Sequence, residues 1–466
     1  MNPLSAAIGC AVAVAVLFML NRDRGTRTST ALWIPVAWFL IAGSRNVSEW
    51  LQLSAPIDAA DRYLEGNPVD RNVLTVLMAC GVIALLGRKQ RVAAVVRANA
   101  PIVLYFLYCG VSIFWSDYTL VAGKRWFRSL GDVIMVLVIF TDPSWGAALK
   151  RVLTRVGFLL LPISVLLIRY FPYWGRAYGQ DGTPYWTGVA AGKNSLGMIC
   201  LIFGLASVWS FLVAYRSREN RFRFRRLVAQ GTVAAIALWL LGIVNSKTSL
   251  ACFALAGSLM ILTTFSSFAR RPLVVLSMVV SIISAAFAVL FMGVGGGVLQ
   301  AMGRDSSLTG RTDIWRVVLK FADNPWFGAG YESFWLGQRL KDVADALHVT
   351  LLNQSHNGYI EAYLNLGWVG VVLLVVLIVT GYRTIMAEFR GDPEIGTLRI
   401  AYFVLVVVYN FTEGVFKTMS PVWIAFLVAT MAVPYARSLK ARTITPRAPE
   451  DSWQAQLPGV AAQLSR

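Results

Sequence analysis

The side chains able to do chemistry in this sequence gather around one stretch, Arg304 to Gly370. Both histidines of the chain, His348 and His356, lie in it. Imidazole is the side chain best matched to proton transfer near neutral pH. His356 is the sharper candidate because it sits where a long polar segment meets an apolar run; a polar residue at a membrane interface is the plain alternative. Arg304 and Arg311 stand in the same polar segment. A guanidinium can grip phosphate or diphosphate oxygens through two parallel hydrogen bonds. An ion pair with Asp305 or Asp313 would occupy the same donors. Lys193 and Asn194 open one apolar run, Lys247 precedes another, and Glu413 lies between the last two. Asn357 follows His356, and Glu361 comes one turn later. Charges at these places can line one cavity, although a lysine at a bilayer edge is equally served by snorkelling.

What must position them is membrane. Of the 466 residues, 57% are hydrophobic and 14% charged, and mean hydropathy is +0.60. Soluble domains carry about 25% charged residues, so the composition is that of a polytopic, all-α membrane protein. The formal net charge of +19 belongs to membrane-flanking loops as a topology signal, and no basic patch is interleaved with stacking aromatics, so nucleic acid is not expected as a partner. The five cysteines, Cys10, Cys80, Cys109, Cys200 and Cys252, all lie in apolar runs without a CxxC pair. They read as packing residues, and neither a disulfide framework nor a zinc site is expected.

A spanning helix needs about 20 mostly apolar residues. Thirteen segments approach this: 4–20, 28–43, 73–87, 99–115, 126–141, 152–170, 190–214, 227–245, 248–267, 272–294, 358–381, 397–411 and 420–436. Four of them are short, which leaves twelve or thirteen spans. Basic residues follow alternate segments, most densely at Arg216, Arg218, Arg221, Arg223, Arg225 and Arg226. That alternation puts the N-terminus outside and the C-terminus in the cytoplasm. The first segment has three basic residues after it and none before, the reverse of a signal peptide, so it reads as a retained helix. The organisation is then ten spans over 1–294, an external loop over 295–357, three spans over 358–437 and a disordered cytoplasmic tail over 438–466.

Long loops in compact proteins are usually functional, and 295–357 is the longest here. Ser306 to Thr309 offer caps for a helix over 311–322, whose Ile314, Val317, Val318 and Phe321 recur at helical spacing. Asp323-Asn-Pro325 ends it, Gly328 and Gly330 permit a tight turn, and a second helix is expected over 331–347. Gly295-Gly-Gly297 has no strand before it and no Lys-Ser/Thr after it, so it is not a phosphate-binding fingerprint. Trp326, Phe327, Tyr331, Phe334 and Trp335 could stack on sugar rings, but an interfacial aromatic belt has the same composition.

These residues resemble the O-antigen ligase and polysaccharide polymerase superfamily. The resemblance rests on Thr309-Gly-Arg-Thr-Asp-Ile-Trp315, Asn324-Pro325 with Gly328-Ala-Gly330, and Ser355-His-Asn-Gly-Tyr359 followed by Leu366-Gly367 and Gly370. Weaker matches are Phe114-Trp-Ser116, Gly192-Lys-Asn194 with Gly197, Ser246-Lys-Thr248 and Asn410-Phe-Thr-Glu413. It is dense over 300–370, diffuse over 100–440, and absent from the first two spans. Such a resemblance implies a GT-C-type membrane glycosyltransferase of the bacterial inner membrane. Family members pass a glycan from undecaprenyl diphosphate to an acceptor hydroxyl on the periplasmic side, without cofactor or metal. By the same resemblance Arg311 would bind the diphosphate and His356 would deprotonate the acceptor or assist the leaving group. Arg304, Lys193, Asn194, Lys247, Asn357 and Glu413 would line the diphosphate and glycan site. Many ligases carry arginine where this chain has Lys247; Ser-Lys-Thr is closer to the exopolysaccharide, succinoglycan-type polymerase branch.

Three functions remain in play. One is a polymerase of lipid-linked repeat units, working beside polysaccharide export and chain-length proteins. Another is a ligase acting on lipid A-core. The third is a transporter or flippase, which should show charged residues within spans and two related halves. Spans nearly free of such charge, with polar residues gathered on one face, favour an enzyme.

Overall fold

The computed structural model describes residues 2–22, 25–53, 66–179, 182–217, 222–264, 272–291, 311–349 and 352–434. Arg304, the Ser306–Thr309 caps, the Gly295–Gly297 run and the C-terminal tail lie outside them. Helices occupy all thirteen apolar segments: α1 (Pro3–Leu20), α2 (Trp33–Ala42), α3 (Pro68–Leu86), α4 (Lys89–Ala98) with α5 (Ala100–Val111), α6 (Thr119–Phe140), α7 (Trp145–Tyr170), α8 (Lys193–Arg216), α9 (Arg223–Val244), α10 (Lys247–Thr264) and α11 (Pro272–Phe291). Helices α12 (Arg311–Lys320) and α13 (Gly337–Ala346) belong to the loop, and α14 (Gly358–Phe389), α15 (Pro393–Tyr409) and α16 (Pro421–Thr430) complete the chain. Among the described residues, seven helices are long and apolar enough to cross a membrane, and α4 with the helix after it makes an eighth candidate bent by 85°. The protein is a polytopic helical membrane protein, and its one sheet among the described residues is a short hairpin, β1 (Arg176–Tyr178) against β2 (Pro184–Trp186).

The bundle is organised around α15. Every residue from Gly396 to Tyr409 is buried, with α10, α14 and α16 packed against it. Helix α8 packs on α7, α9 and α10. Helix α1 sits at the edge and shows Leu4, Ile8, Val12 and Val16 outward, one stripe at a spacing of four, as a lipid-facing helix should. Cys109, Cys200 and Cys252 are buried, and all five thiols are free.

Two spans break the expectation of uncharged interiors. Asp132 in α6 is fully buried, accepting from Trp38 Nε1–H at 2.8 Å and from the Met419 backbone N–H at 3.0 Å. Arg399 in α15 is also fully buried; it pairs with Glu388 and donates to the carbonyls of Ala429 and Met431. A charge inside a bundle persists when its partners replace water. Each of these joins separate elements, Asp132 tying α2 to the turn before α16 and Arg399 tying α14 to the end of α16. Both therefore read as structural ties rather than as an ion path.

The loop has a small core of its own. Val318, Ala329, Phe334, Trp335, Leu340, Val343 and Leu364 form it, so the first turns of α14 pack with α12 and α13. Helix α14 breaks at Gly367, whose φ of 62° and ψ of −166° are not helical. Chain 325–330 fits into the break. Ala329 and Gly330 donate to the carbonyls of Leu364 and Asn365, and Trp368 and Val369 donate to those of Pro325 and Trp326, at 2.9–3.2 Å. The backbones approach so closely that a Cβ on Gly367 would lie 2.2 Å from Trp326 and one on Gly328 2.5 Å from Asn365. Both glycines also have positive φ, the region other residues rarely enter. The second loop helix begins at Gly337 rather than 331 because 331–336 turns to bury Phe334 and Trp335.

Candidate functional site

Two aromatic latches close the loop so that its ends meet. One turn after Arg311, Trp315 Nε1–H donates to the Ser355 carbonyl at 2.9 Å. Ser355 N–H in turn donates to Glu361, a carboxylate that also accepts from Trp335 Nε1–H at 2.8 Å. Glu361 is thus enclosed by the loop and latches it instead of lining a cavity. Asn357 caps α14, its Oδ1 accepting from the N–H groups of Tyr359 and Ile360 at 2.9 and 3.1 Å. An asparagine side chain is well suited to this, since the first turn of a helix leaves N–H groups without intrahelical partners. Asn357 Nδ2 donates to the Phe411 carbonyl at 3.2 Å, and Gly358 N–H to that of Asn410 at 2.8 Å. The start of α14 is thereby fixed to the turn that follows α15.

His356, between these two anchors, has a φ of 55°. Left-handed backbone costs a non-glycine residue roughly 1–2 kcal/mol, and the Ser355 and Asn357 contacts hold it there. The result is an imidazole directed at Glu413. His356 Nδ1 lies 3.3 Å from Glu413 Oε2, and Arg311 Nη2 lies 3.0 Å from Glu413 Oε1. Arg311 Nη1 donates to the adjacent Thr412 carbonyl. Asn194 Nδ2 reaches Glu413 Oε1 at 3.5 Å, the outer limit of hydrogen-bond distance. The carboxylate side chain is 8% exposed, while Arg311 and His356 are 15% and 25% exposed. One nearly buried acid thus holds a guanidinium and an imidazole that both keep access to solvent.

The tautomer follows from the partner. A carboxylate only accepts, so a neutral His356 facing Glu413 carries its proton on Nδ1 and leaves Nε2 as the open lone pair. That arrangement can take a proton from a hydroxyl. The guanidinium has five N–H donors, two of which serve the contacts above, so others on the same group can meet an anion.

The remaining sequence candidates are placed unevenly. Asn194 reaches the cluster, whereas Lys193, its neighbour in the first turn of α8, is exposed and lies over the Tyr185 ring at 5.9 Å. Lys247 begins α10 beside Thr248, whose hydroxyl accepts from Thr412 at 3.4 Å. Asn357 is buried at 4% exposure and both ends of its amide are used by backbone, so it supports the site. Of the five aromatics, Tyr331, Phe334 and Trp335 are buried, and Trp326 and Phe327 are exposed. Burial also pushes the Tyr331 phenol well above its ordinary pKa, aided by the Glu332 carboxylate. The spacing alone did not point to the platform beneath Glu413. Ser246 and Ser249 bond each other at 2.9 Å, Ser249 meets the Tyr409 hydroxyl at 3.3 Å, and Gly197 packs directly on both serines. The nearest signals for it are two separate weak matches, Gly197 after the Gly192-Lys-Asn194 run and the Ser246-Lys-Thr248 run.

The comparisons cover the same region. Residues 232–375 match the profile of the O-antigen ligase family, which takes in Lys247, Arg311, His356 and Asn357 but leaves Lys193, Asn194 and Glu413 outside. The chain is also 26% identical over 303 residues to the exopolysaccharide production protein ExoQ of Rhizobium meliloti (strain 1021), across 62% of this chain and 66% of that protein. The match therefore spans just under two thirds of that relative's length. With its polytopic helical fold, the chain resembles the O-antigen ligase and polysaccharide polymerase superfamily, and on the exopolysaccharide side of it.

Proposed function

We propose that this protein is a glycosyltransferase of the bacterial inner membrane. In this reading it polymerises undecaprenyl diphosphate-linked oligosaccharide repeat units into exopolysaccharide on the periplasmic side. The observation that carries the reading is the convergence of Arg311 and His356 on Glu413, from opposite ends of one loop. His356 Nε2 takes the proton of an acceptor sugar hydroxyl, whose oxygen bonds to the anomeric carbon of the donor. The bond from that carbon to the diphosphate oxygen breaks, and its electron pair leaves on the lipid diphosphate. Arg311 neutralises the charge that develops there, with Lys247 as a further cation and Asn194 as further lining. Glu413 orients both working groups. A positioned base contributes about 10²–10⁴-fold, and fixed cations at a developing anion contribute a comparable amount. Trp326 and Phe327 offer exposed ring faces for the glycan. Polysaccharide export and chain-length proteins are the partners such a reaction requires.

The test is a deletion strain complemented with His356→Ala or Arg311→Ala at matched protein amounts. Both variants should lose long polymer and accumulate single lipid-linked repeat units. Normal polymer in both would overturn the mechanism. A deletion strain that accumulates full-length polymer on the carrier would instead make the protein a ligase.

A further inference from the structure

At the other end of the bundle, the end regions of four helices line a half-open polar cavity of about 300 Å3. Lys150 of α7, Arg216 at the end of α8, Arg223 and Arg226 of α9, and Glu394 of α15 line it. The lining thus carries four cations against one carboxylate. Helix α8 runs from Asn194, at the candidate catalytic cluster, to Arg216, at this cavity. Its 24 residues separate the two by roughly 35 Å at 1.5 Å per residue. The cavity is therefore not an extension of the glycan site.

A basic loop that only sets topology needs charge but no convergence on one space, and three features here go further. First, the cations sit on different helices and converge on one space. Second, Arg223 Nε is shielded from water and has no hydrogen-bond partner among the described residues. Buried donors in folded proteins are nearly always satisfied, so such an atom marks a place for an acceptor. Third, aromatic faces help hold the cations. Lys150 Nζ lies 5.6 Å from the Trp209 ring and the Arg223 guanidinium 5.3 Å from that of Tyr215. Trp209 is fixed in turn by its Nε1–H, which donates to the Glu394 carbonyl at 2.8 Å. A ring positions a cation without cancelling its charge.

We propose that this cavity binds a phosphate-bearing anion, the phosphodiester headgroup of an anionic phospholipid or a soluble phosphate, through Arg223, Arg226, Arg216 and Lys150. A guanidinium fork suits the tetrahedral oxygens of phosphate, and basic pockets between spans on the positively charged side are suited to acidic headgroups.

The full-length protein is reconstituted in vesicles of equal phosphatidylcholine and phosphatidylglycerol, extracted, and its retained lipid quantified. Wild type should retain phosphatidylglycerol over phosphatidylcholine, and Arg223→Gln with Arg226→Gln should lower that preference about thirtyfold, the order expected for two basic groups at a membrane surface. Arg216→Gln, at an exposed helix end, repeats the test should the double variant not fold. A second arm adds inorganic phosphate at about 10 mM to delipidated protein and reads the thermal midpoint. A rise that Arg223→Gln abolishes, with no lipid preference, assigns the site to soluble phosphate; lipid preference without such a rise assigns it to the headgroup. Equal retention of both lipids together with an unmoved midpoint overturns the proposal, as does a preference the variants leave unchanged.

Discussion

Glu413→Gln isolates the arrangement at the candidate site. The replacement keeps the size and shape of the side chain but not its hydrogen-bonding character. Glutamate presents two acceptor oxygens, and both are used, Oε1 by Arg311 at 3.0 Å and Oε2 by His356 at 3.3 Å. Glutamine presents one acceptor and one NH2 group, so it can accept from only one of the two. If it keeps Arg311, its NH2 faces His356 Nδ1 and forces that nitrogen to become the acceptor. The proton then moves to Nε2, and the lone pair needed to receive the hydroxyl proton is gone. If it keeps His356, its NH2 faces a guanidinium that has only donors. Either way one working group is lost or displaced. A positioned base accounts for about 10²–10⁴-fold, so the rate should fall on the order of 10²–10³-fold, or about 2.7–4 kcal/mol of barrier. Losing a charged hydrogen-bond partner at a nearly buried site should cost about 1.5–3 kcal/mol of stability. The assay is the initial rate of chain growth on purified lipid-linked repeat units, at protein amounts matched by folded fraction. With His356 removed, the glutamine can keep its one acceptor on Arg311, so adding Glu413→Gln to His356→Ala should slow the reaction by less than about threefold more, as coupled groups are strongly non-additive. A single Glu413→Gln variant running within a factor of three of wild type would show that the carboxylate is not needed to orient His356.

Three further outcomes follow from the packing. Gly367→Ala puts a Cβ against the Trp326 carbonyl at a positive φ; backbone strain of this kind costs about 1–3 kcal/mol, and the clash adds to it, so the thermal midpoint in detergent should fall by several degrees. Trp335→Phe removes one of the donors that hold Glu361 and should cost about 1–3 kcal/mol, read as faster protease cleavage within 311–349 while the spans stay intact. Glu388→Gln leaves Arg399 buried without its counter-charge; breaking a buried pair on one side costs about 3–5 kcal/mol, so folded yield should drop sharply, and unchanged yield would show the pair to be dispensable.

The helices could be read from the sequence because a membrane imposes a length and a composition; all thirteen apolar segments hold a helix, though among the described residues seven, or eight with the bent pair, are long and apolar enough to cross a membrane. Arg311 and His356 were legible because each sits in a short run with a recognisable spacing. That they share Glu413 was not. The acid stands 102 residues from Arg311 and 57 from His356, and no local periodicity links positions that far apart. The break at Gly367 was hidden as well, since glycine inside an apolar run is ordinary in a spanning helix. Averaged hydropathy also concealed Asp132 and Arg399, whose compensating partners come from other helices. Lys193 shows the reverse case: it begins α8 beside Asn194, but its side chain lies over Tyr185.

In the proposed mechanism His356, oriented by Glu413 and seated beside Arg311, activates the acceptor hydroxyl against a lipid diphosphate donor. Purified protein in vesicles, supplied with lipid-linked repeat units, tests it directly by the length of the product and the lipid diphosphate released. Wild type should release one lipid diphosphate for each repeat unit added, and His356→Ala should bind the donor but release it at least about 10²-fold more slowly. Chain growth by His356→Ala at the wild-type rate would contradict the account.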